Sequence, residues 1–147
     1  MVATPNTPVT SQGTTIGIGS SPTNILNLTS IDGLDIKVGT IESTTLDSTS
    51  GYKTFVTGFK EVSDVAISGY LDAQADAPLW TAVNTAGQQS PQTFTIQFPA
   101  VGGQTTGTKW TFSGIVTGFK TKAAENALVT FDGTIKVSGA PTLTFGA

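Results

Sequence analysis

The clearest hydrophobic pattern in the chain lies near its end. In "VTFDGTIKVS" Val129, Phe131, Gly133, Ile135 and Val137 alternate with Thr130, Asp132, Thr134, Lys136 and Ser138. Period-two alternation of this kind marks a strand with one buried face. "VAISGYLD" repeats it, with Val65, Ile67, Gly69 and Leu71 on the apolar side. "TFTIQF" sets Phe94, Ile96 and Phe98 on one face, and "KWTFSGIV" does so with Trp110, Phe112 and Val116; the Gly-rich "PAVGGQTTGT" between them reads as a hairpin loop. One segment changes period. In "DAPLWTAVNTAG" Leu79, Ala82, Val83 and Ala86 share a helical face, with Asp76 placed to cap the start, Pro78 in the first turn and Gly87 suited to the end.

The remaining segments are read from turn chemistry. "TNILNLTSIDGLDIKVGTIESTT" contains two short β-favouring runs broken by Asp32-Gly33, which predicts strand, tight turn, strand. "LDSTSGYKT" is a polar loop long enough to raise a question of function. "TKAAENA" is a polar connection with room for one helical turn, and "GAPTLTFGA" predicts a final short strand. The Thr-, Pro-, Gly- and Ser-rich start, to about residue 22, reads as a flexible arm. The sum is one mainly β domain over residues 1–147, a sandwich or barrel of six to eight strands with one flanking helix.

Val-Thr-Gly-Phe-Lys occurs twice, at Val56 and at Val116. The flanks of the two copies differ, and so do the distances to the next strand. A shared backbone solution at two strand ends, or chance, accounts for the repeat better than an internal duplication.

Composition then removes whole classes of chemistry. The chain lacks Cys, His and Arg. Disulfides, thiolate and imidazole metal sites, His-based triads and bidentate Arg clamps are therefore absent. Ten acidic residues against seven Lys give a net charge of -3 without a basic cluster, which argues against tight nucleic-acid binding. "GIGSS" at Gly17 lacks the Lys and the strand-loop-helix setting of a phosphate loop. Asp32 and Asp35 are too few for a calcium loop, and no spacing selects a catalytic carboxylate pair. Trp80 and Trp110 sit beside apolar faces and favour core or interface packing over a stacking platform. The start has no basic and apolar leader, and no run approaches a membrane span, so synthesis and retention in the cytoplasm are expected. Charged residues make up only 12% of the chain, whereas Thr contributes 27 residues. Soluble domains average about 25% charged residues. A strand-rich surface with so little charge invites edge pairing, which hints at programmed self-association.

The stretch "TIESTTLDSTSGYKTFVTGFKEVSDVAISGYLD" resembles the tail tube protein, or major tail protein, of long-tailed phages with non-contractile tails. The elements that carry the likeness are Glu42, Thr44 and Thr45, Asp47-Ser48, Gly51-Tyr52, Gly58 and the strand from Val65 to Asp72. The helix after Asp76, a strand ending in Phe98-Pro99, "WTFSGIVTGF" and "TIKVSGAPTL" follow in the family's order, so the likeness runs from Ile25 to Leu143. Two departures stand out: Lys53 and Phe55 occupy positions where relatives often carry Arg or Glu, and the immunoglobulin-like domain that some relatives append is not expected here.

The resemblance implies a structural virion protein without catalysis or cofactor. Such a protein forms six-fold rings whose sheets join around a lumen, and the rings stack into a tube through which double-stranded DNA passes without tight binding. Implied partners are other copies of the chain, a tape-measure protein, a tail terminator and tail tip or baseplate proteins; no membrane is involved. The protein is then expected in the virion tail, assembled in the host cytoplasm. The implied contacts between subunits or rings fall on Leu46, Asp47, Ser48, Gly51, Tyr52, Lys53 and Phe55, with Gly58 as a structural turn. The alternatives are a tube subunit of a contractile tail, gene-transfer particle or tail-derived secretion system, and a carbohydrate- or surface-binding β-sandwich that uses Trp80 and Trp110.

Overall fold

The computed structural model describes residues 8–72, 77–84 and 90–147. The chain runs β1 (Thr15–Ile18), β2 (Thr23–Ile25), β3 (Leu28–Asp32), β4 (Ile36–Glu42), β5 (Phe55–Val62), β6 (Val65–Tyr70), α1 (Ala77–Asn84), β7 (Gln92–Gln97), β8 (Lys109–Lys122) and β9 (Thr130–Thr144). Seven strands form one antiparallel sheet in the order β2-β1-β7-β8-β9-β6-β3, and β4 pairs with β5 in a separate ribbon.

The two edge strands of the large sheet, β2 and β3, are consecutive in the chain and separated only by Leu26 and Asn27. So short a link requires the sheet to curl until its edges approach, which makes a nearly closed barrel. Asn27 makes the corner with φ of 59°, a left-handed conformation that Asn tolerates. Bulges in the β8–β9 pair, at Thr111/Ser113 and at Val116/Gly118, supply the bending. The alternating faces of these strands fill the interior: Ile16, Ile67, Phe94, Val116, Phe131 and Ile135 are all buried. Phe94 stacks on Phe112 at 5.5 Å, and Phe131 on Phe119 at 6.0 Å. Gly133 pairs with Ile67 in register, and a Cβ there would lie 3.0 Å from Ile67 and 3.2 Å from Leu79. Its missing side chain is thus the space that Ile67 and the buried Leu79 of α1 occupy.

The alternation read in β6 to β9 corresponds to these strands, and Leu79, Ala82 and Val83 turn inward from α1 as the helical period requires. Asp76, Ala86 and Gly87 lie outside the described residues. Four expectations are corrected. The arm to about residue 22 includes β1, paired to β7 with Ile16 opposite Ile96; four residues between Gly- and Pro-rich flanks carry too weak a pattern alone and become a strand through that neighbour. Asp32-Gly33 does not close a hairpin, because β3 pairs with β6 and β4 with β5. Residues 123–129 form no helix. The expected final strand is the continuation of β9, which absorbs Gly139, Ala140 and Pro141 in a bulge where Gly139 has φ of 83°. A bulge is where a strand accommodates proline, which has no N–H for the ladder.

Neither copy of Val-Thr-Gly-Phe-Lys is a strand end. The first lies inside β5, where Gly58 and Phe59 together face the single Gly39 of β4 between the pairs Val38/Lys60 and Thr40/Thr57. The second lies inside β8, where Thr117 is the unpaired residue between Val116/Ile135 and Gly118/Thr134. The repeat marks a β-bulge in both places.

Candidate functional site

The β4–β5 ribbon stands apart from the barrel. It leaves through Gly33 and Leu34, with φ of 140° and 59°, and returns through Ser63 and Asp64. A Cβ on Gly33 would lie 2.5 Å from the Asp64 carbonyl oxygen, so the two connections cross in near contact. The Asp35 N–H donates to Ser63 Oγ at 2.9 Å and the Ser63 N–H to the Asp35 carbonyl at 3.0 Å, closing the base. Lys136 of β9 pairs with Asp64 at 3.2 Å, and Leu34 is buried against the core.

Beyond that base the ribbon pairs with no other strand among the described residues. Every residue of β4 is exposed. The register places Ile36, Val38 and Phe55 on one face and Ile41 and Val56 on the other; all five are exposed, and Phe59, in the bulge, is 94% exposed. An isolated two-stranded ribbon is marginal in water, and one with apolar side chains on both faces lacks the polar side that a free hairpin presents. The outer edges of β4 and β5 are unpaired. So is one edge of β9 from Lys136 onward, since β6 covers it only through Ile135. Such rows of open N–H and C=O groups are templates for another chain.

The ribbon tip spans residues 43–54 and collects the residues the sequence singled out. Leu46, Asp47, Ser48, Gly51, Tyr52 and Lys53 all lie there, and Phe55 begins β5 opposite Glu42. Gly58 is not a turn; it belongs to the β5 bulge. The tip is shaped by its own hydroxyls. The Ser43 N–H donates to the Thr54 carbonyl at 2.8 Å, the Thr54 N–H to Thr44 Oγ1 at 2.9 Å, and the Ser48 N–H to the Thr45 carbonyl at 3.2 Å. Lys53 meets Glu42 at 3.5 Å, an exposed pair of small energetic weight. Leu46 is fully exposed and Tyr52 nearly so.

The Thr45 hydroxyl, and then Asp47's own backbone N–H, hydrogen-bond to the Asp47 carboxylate and hold its pKa below the ordinary value. A depressed carboxylate pKa favours the folded tip above the unfolded value, and that contribution is lost as pH falls through the folded one. Thr45→Ala is therefore expected to move the Asp47 titration upward toward the usual carboxylate range. An NMR pH titration of the Asp47 side chain reads this directly, and an unchanged midpoint would contradict the assigned hydrogen bond.

Sequence reasoning missed the apolar ribbon. Its signal was present in Ile36, Val38, Ile41, Val56 and Phe59, but these residues do not alternate on one face. Among the described residues, no group of three His, Cys, Asp or Glu gathers as a metal site, and no helix is long and apolar enough to cross a membrane. Trp80 is 53% exposed and lies at a tilt 6.2 Å from Phe119, whereas Trp110 lines an apolar groove of about 970 Å³ with Ile96, Phe98, Leu143 and Phe145. Phe119 and Trp110 are nine residues apart on β8, roughly 25–30 Å of strand. The two tryptophans do not make a joint platform.

A mainly β barrel with one short helix and a projecting ribbon is a known architecture. No protein-family model and no curated protein matches the chain by sequence. Solved structures do match in fold. The chain is similar to a component of the PVC extracellular contractile injection system sheath-tube complex in the extended state, with a TM-score of 0.74 at 16% identity over 95% of this chain and 93% of that one. It is similar to a component of the tail of a gene transfer agent particle solved with C6 symmetry, with a TM-score of 0.61 at 15% identity over 82% and 84%. The SPP1 tail tube matches with a TM-score of 0.64 at 12% identity over 95% and 80%. The fold is that of tail tube proteins.

Proposed function

We propose that this chain is a structural tube subunit that self-assembles into stacked six-fold rings forming the tail tube of a long-tailed phage. The observation that carries the proposal is the β4–β5 ribbon, apolar on both faces and, among the described residues, open at both edges and paired with no other strand. Pairing that ribbon and the open edge of β9 with neighbouring copies satisfies their backbone groups and removes the edges from water. A ring closed by such head-to-tail contacts is heterologous, and rings stacked through a second heterologous contact make an open polymer. The order of motifs from Glu42 to Leu143 supports a non-contractile tail. The similarity to the contractile injection system, with the higher TM-score, favours a second reading as the tube of a tail-derived particle.

In either setting the tube has no catalytic role. It serves as a conduit, bounded by terminator and tip or baseplate proteins, with its length set by a tape-measure protein. In the phage reading the lumen is weakly negative, so that double-stranded DNA slides through without the friction that cationic contacts to phosphate would add.

Sedimentation and negative-stain microscopy of the purified chain test the proposal. Rings and tubes about one barrel thick are expected. A chain that remains monomeric at high concentration and binds glycans would favour the carbohydrate-binding alternative instead.

A further inference from the structure

The base of the ribbon and the 123–129 connection lie at opposite ends of the β3–β6 pair. β3 runs from Leu28, opposite Gly69, to Asp32, opposite Ala66, and then passes into the ribbon; β6 leaves the ribbon at Val65 and ends at Tyr70, opposite Thr130. Thr130 in turn pairs with Lys122, the last residue of β8. Both ends carry exposed apolar side chains: Leu46 and Tyr52 at the tip, and Tyr70, Leu71, Leu128 and Val129 at the remote end.

The remote end contains a small open pocket of about 170 Å³ lined by Lys122, Ala124, Ala127, Leu128 and Thr130. A cavity of about 150 Å³ takes a benzene-sized group, so this one has room for a leucine side chain. The tip presents a leucine with a carboxylate next to it in sequence, and the pocket presents alanines and a leucine with a lysine at their side. Glu125 belongs to the same connection but does not line the pocket.

We propose that the tip of one copy seats on the remote end of the next, with Leu46 entering the Ala124–Ala127–Leu128 pocket and Asp47 facing Lys122. This rests on the tube reading and adds to it the residues that receive the tip. The larger groove beside Trp110 is the competing receptor. It runs along β3 from Leu28 to Ile31 and on to Gly33 and Leu34, and none of its lining residues is charged, so it offers no partner to Asp47. Docking at the remote end joins unlike ends and repeats without limit.

The absence of cysteine allows a direct test in the full chain. Leu46→Cys and Leu128→Cys are purified separately, mixed and oxidised mildly, beside a mixture of Leu46→Cys with Phe145→Cys in the groove. The tip and remote-end mixture is expected to give a covalent dimer beyond what either variant forms alone, and about tenfold more than the groove mixture. In parallel, Asp47→Lys and Lys122→Asp should each raise the protein concentration needed for tubes by about fivefold or more, the upper range for a surface pair, and the double variant should return it toward the original value. Cross-linking to Phe145→Cys at least equal to that with Leu128→Cys, or no recovery in the charge swap, overturns the socket while leaving the tube in place. A native chain that sediments as a monomer under the same conditions overturns the tube reading, and the socket with it.

Discussion

Phe131→Ala is expected to destabilise the barrel by about 3–5 kcal/mol. Phe131 is fully buried, stacks on Phe119 and sits in β9 between β8 and β6, where Thr121 and Gly69 face it across the two ladders. Truncation to alanine removes the ring and leaves a void that the paired strands on both sides are too constrained to fill. Domains of this size have about 5–15 kcal/mol of total stability. At roughly 3 °C per kcal/mol for such a chain, the melting temperature should fall by roughly 9–15 °C. Thermal unfolding of the unassembled subunit followed by circular dichroism measures it. A fall of less than about 3 °C would mean that the barrel interior is not organised around this residue.

Phe59→Lys is expected to do the opposite: it should leave the subunit as stable as before and prevent assembly. Phe59 is 94% exposed and makes no ring contact among the described residues. Surface substitutions of this kind shift stability by about 0.5 kcal/mol or less. If the ribbon is covered by a neighbouring copy, burying a phenylalanine there contributes about 1.5–3 kcal/mol per contact, and a lysine adds the cost of desolvating its charge. Since each 1.4 kcal/mol is tenfold in affinity, subunit association should weaken by at least about 100-fold, read by sedimentation across a concentration series. Unchanged association would remove Phe59 from the interface. A substantial drop in melting temperature would place its partners inside the subunit.

The contrast between Phe131 and Phe59 shows how much of the molecule is legible in its sequence. Strands β6 to β9 were readable because each buries one face against its own chain, so Val65, Ile67, Phe94, Ile96, Phe131 and Ile135 fall at every second position. The tip was readable as a loop because its residues are neighbours in sequence, and local hydrogen bonds among Thr44, Thr45, Ser48 and Thr54 lie within it. The ribbon was not readable. Ile36 and Val38 face one way and Ile41 and Val56 the other, so neither face carries a continuous apolar row, and a bulge at Gly58 and Phe59 shifts the period midway. Strand β1 was hidden for a related reason: Thr15–Ile18 becomes a strand only beside Phe94 and Ile96 of β7. Gly139, Ala140 and Pro141 carried a true signal of interruption, but β9 meets it with a bulge and continues. The repeated pentapeptide has the same lesson, since the same five residues form a bulge in two differently placed strands, β5 and β8.

The proposed tube requires that the ribbon be completed by other copies of the chain. Backbone amide hydrogen exchange, measured residue by residue on the unassembled subunit and on the assembled form, tests it most directly, because exchange reports local opening of individual hydrogen bonds. In the free subunit the amides of β8 and β9 should be protected while those of Ile36 to Val62 exchange rapidly. On assembly the ribbon amides, together with those on the open edge of β9 beyond Lys136, should gain protection by a factor of 100 or more on the order expected for two-stranded segments taken up into a continuous sheet. Protection of the ribbon that is the same before and after assembly would contradict the account.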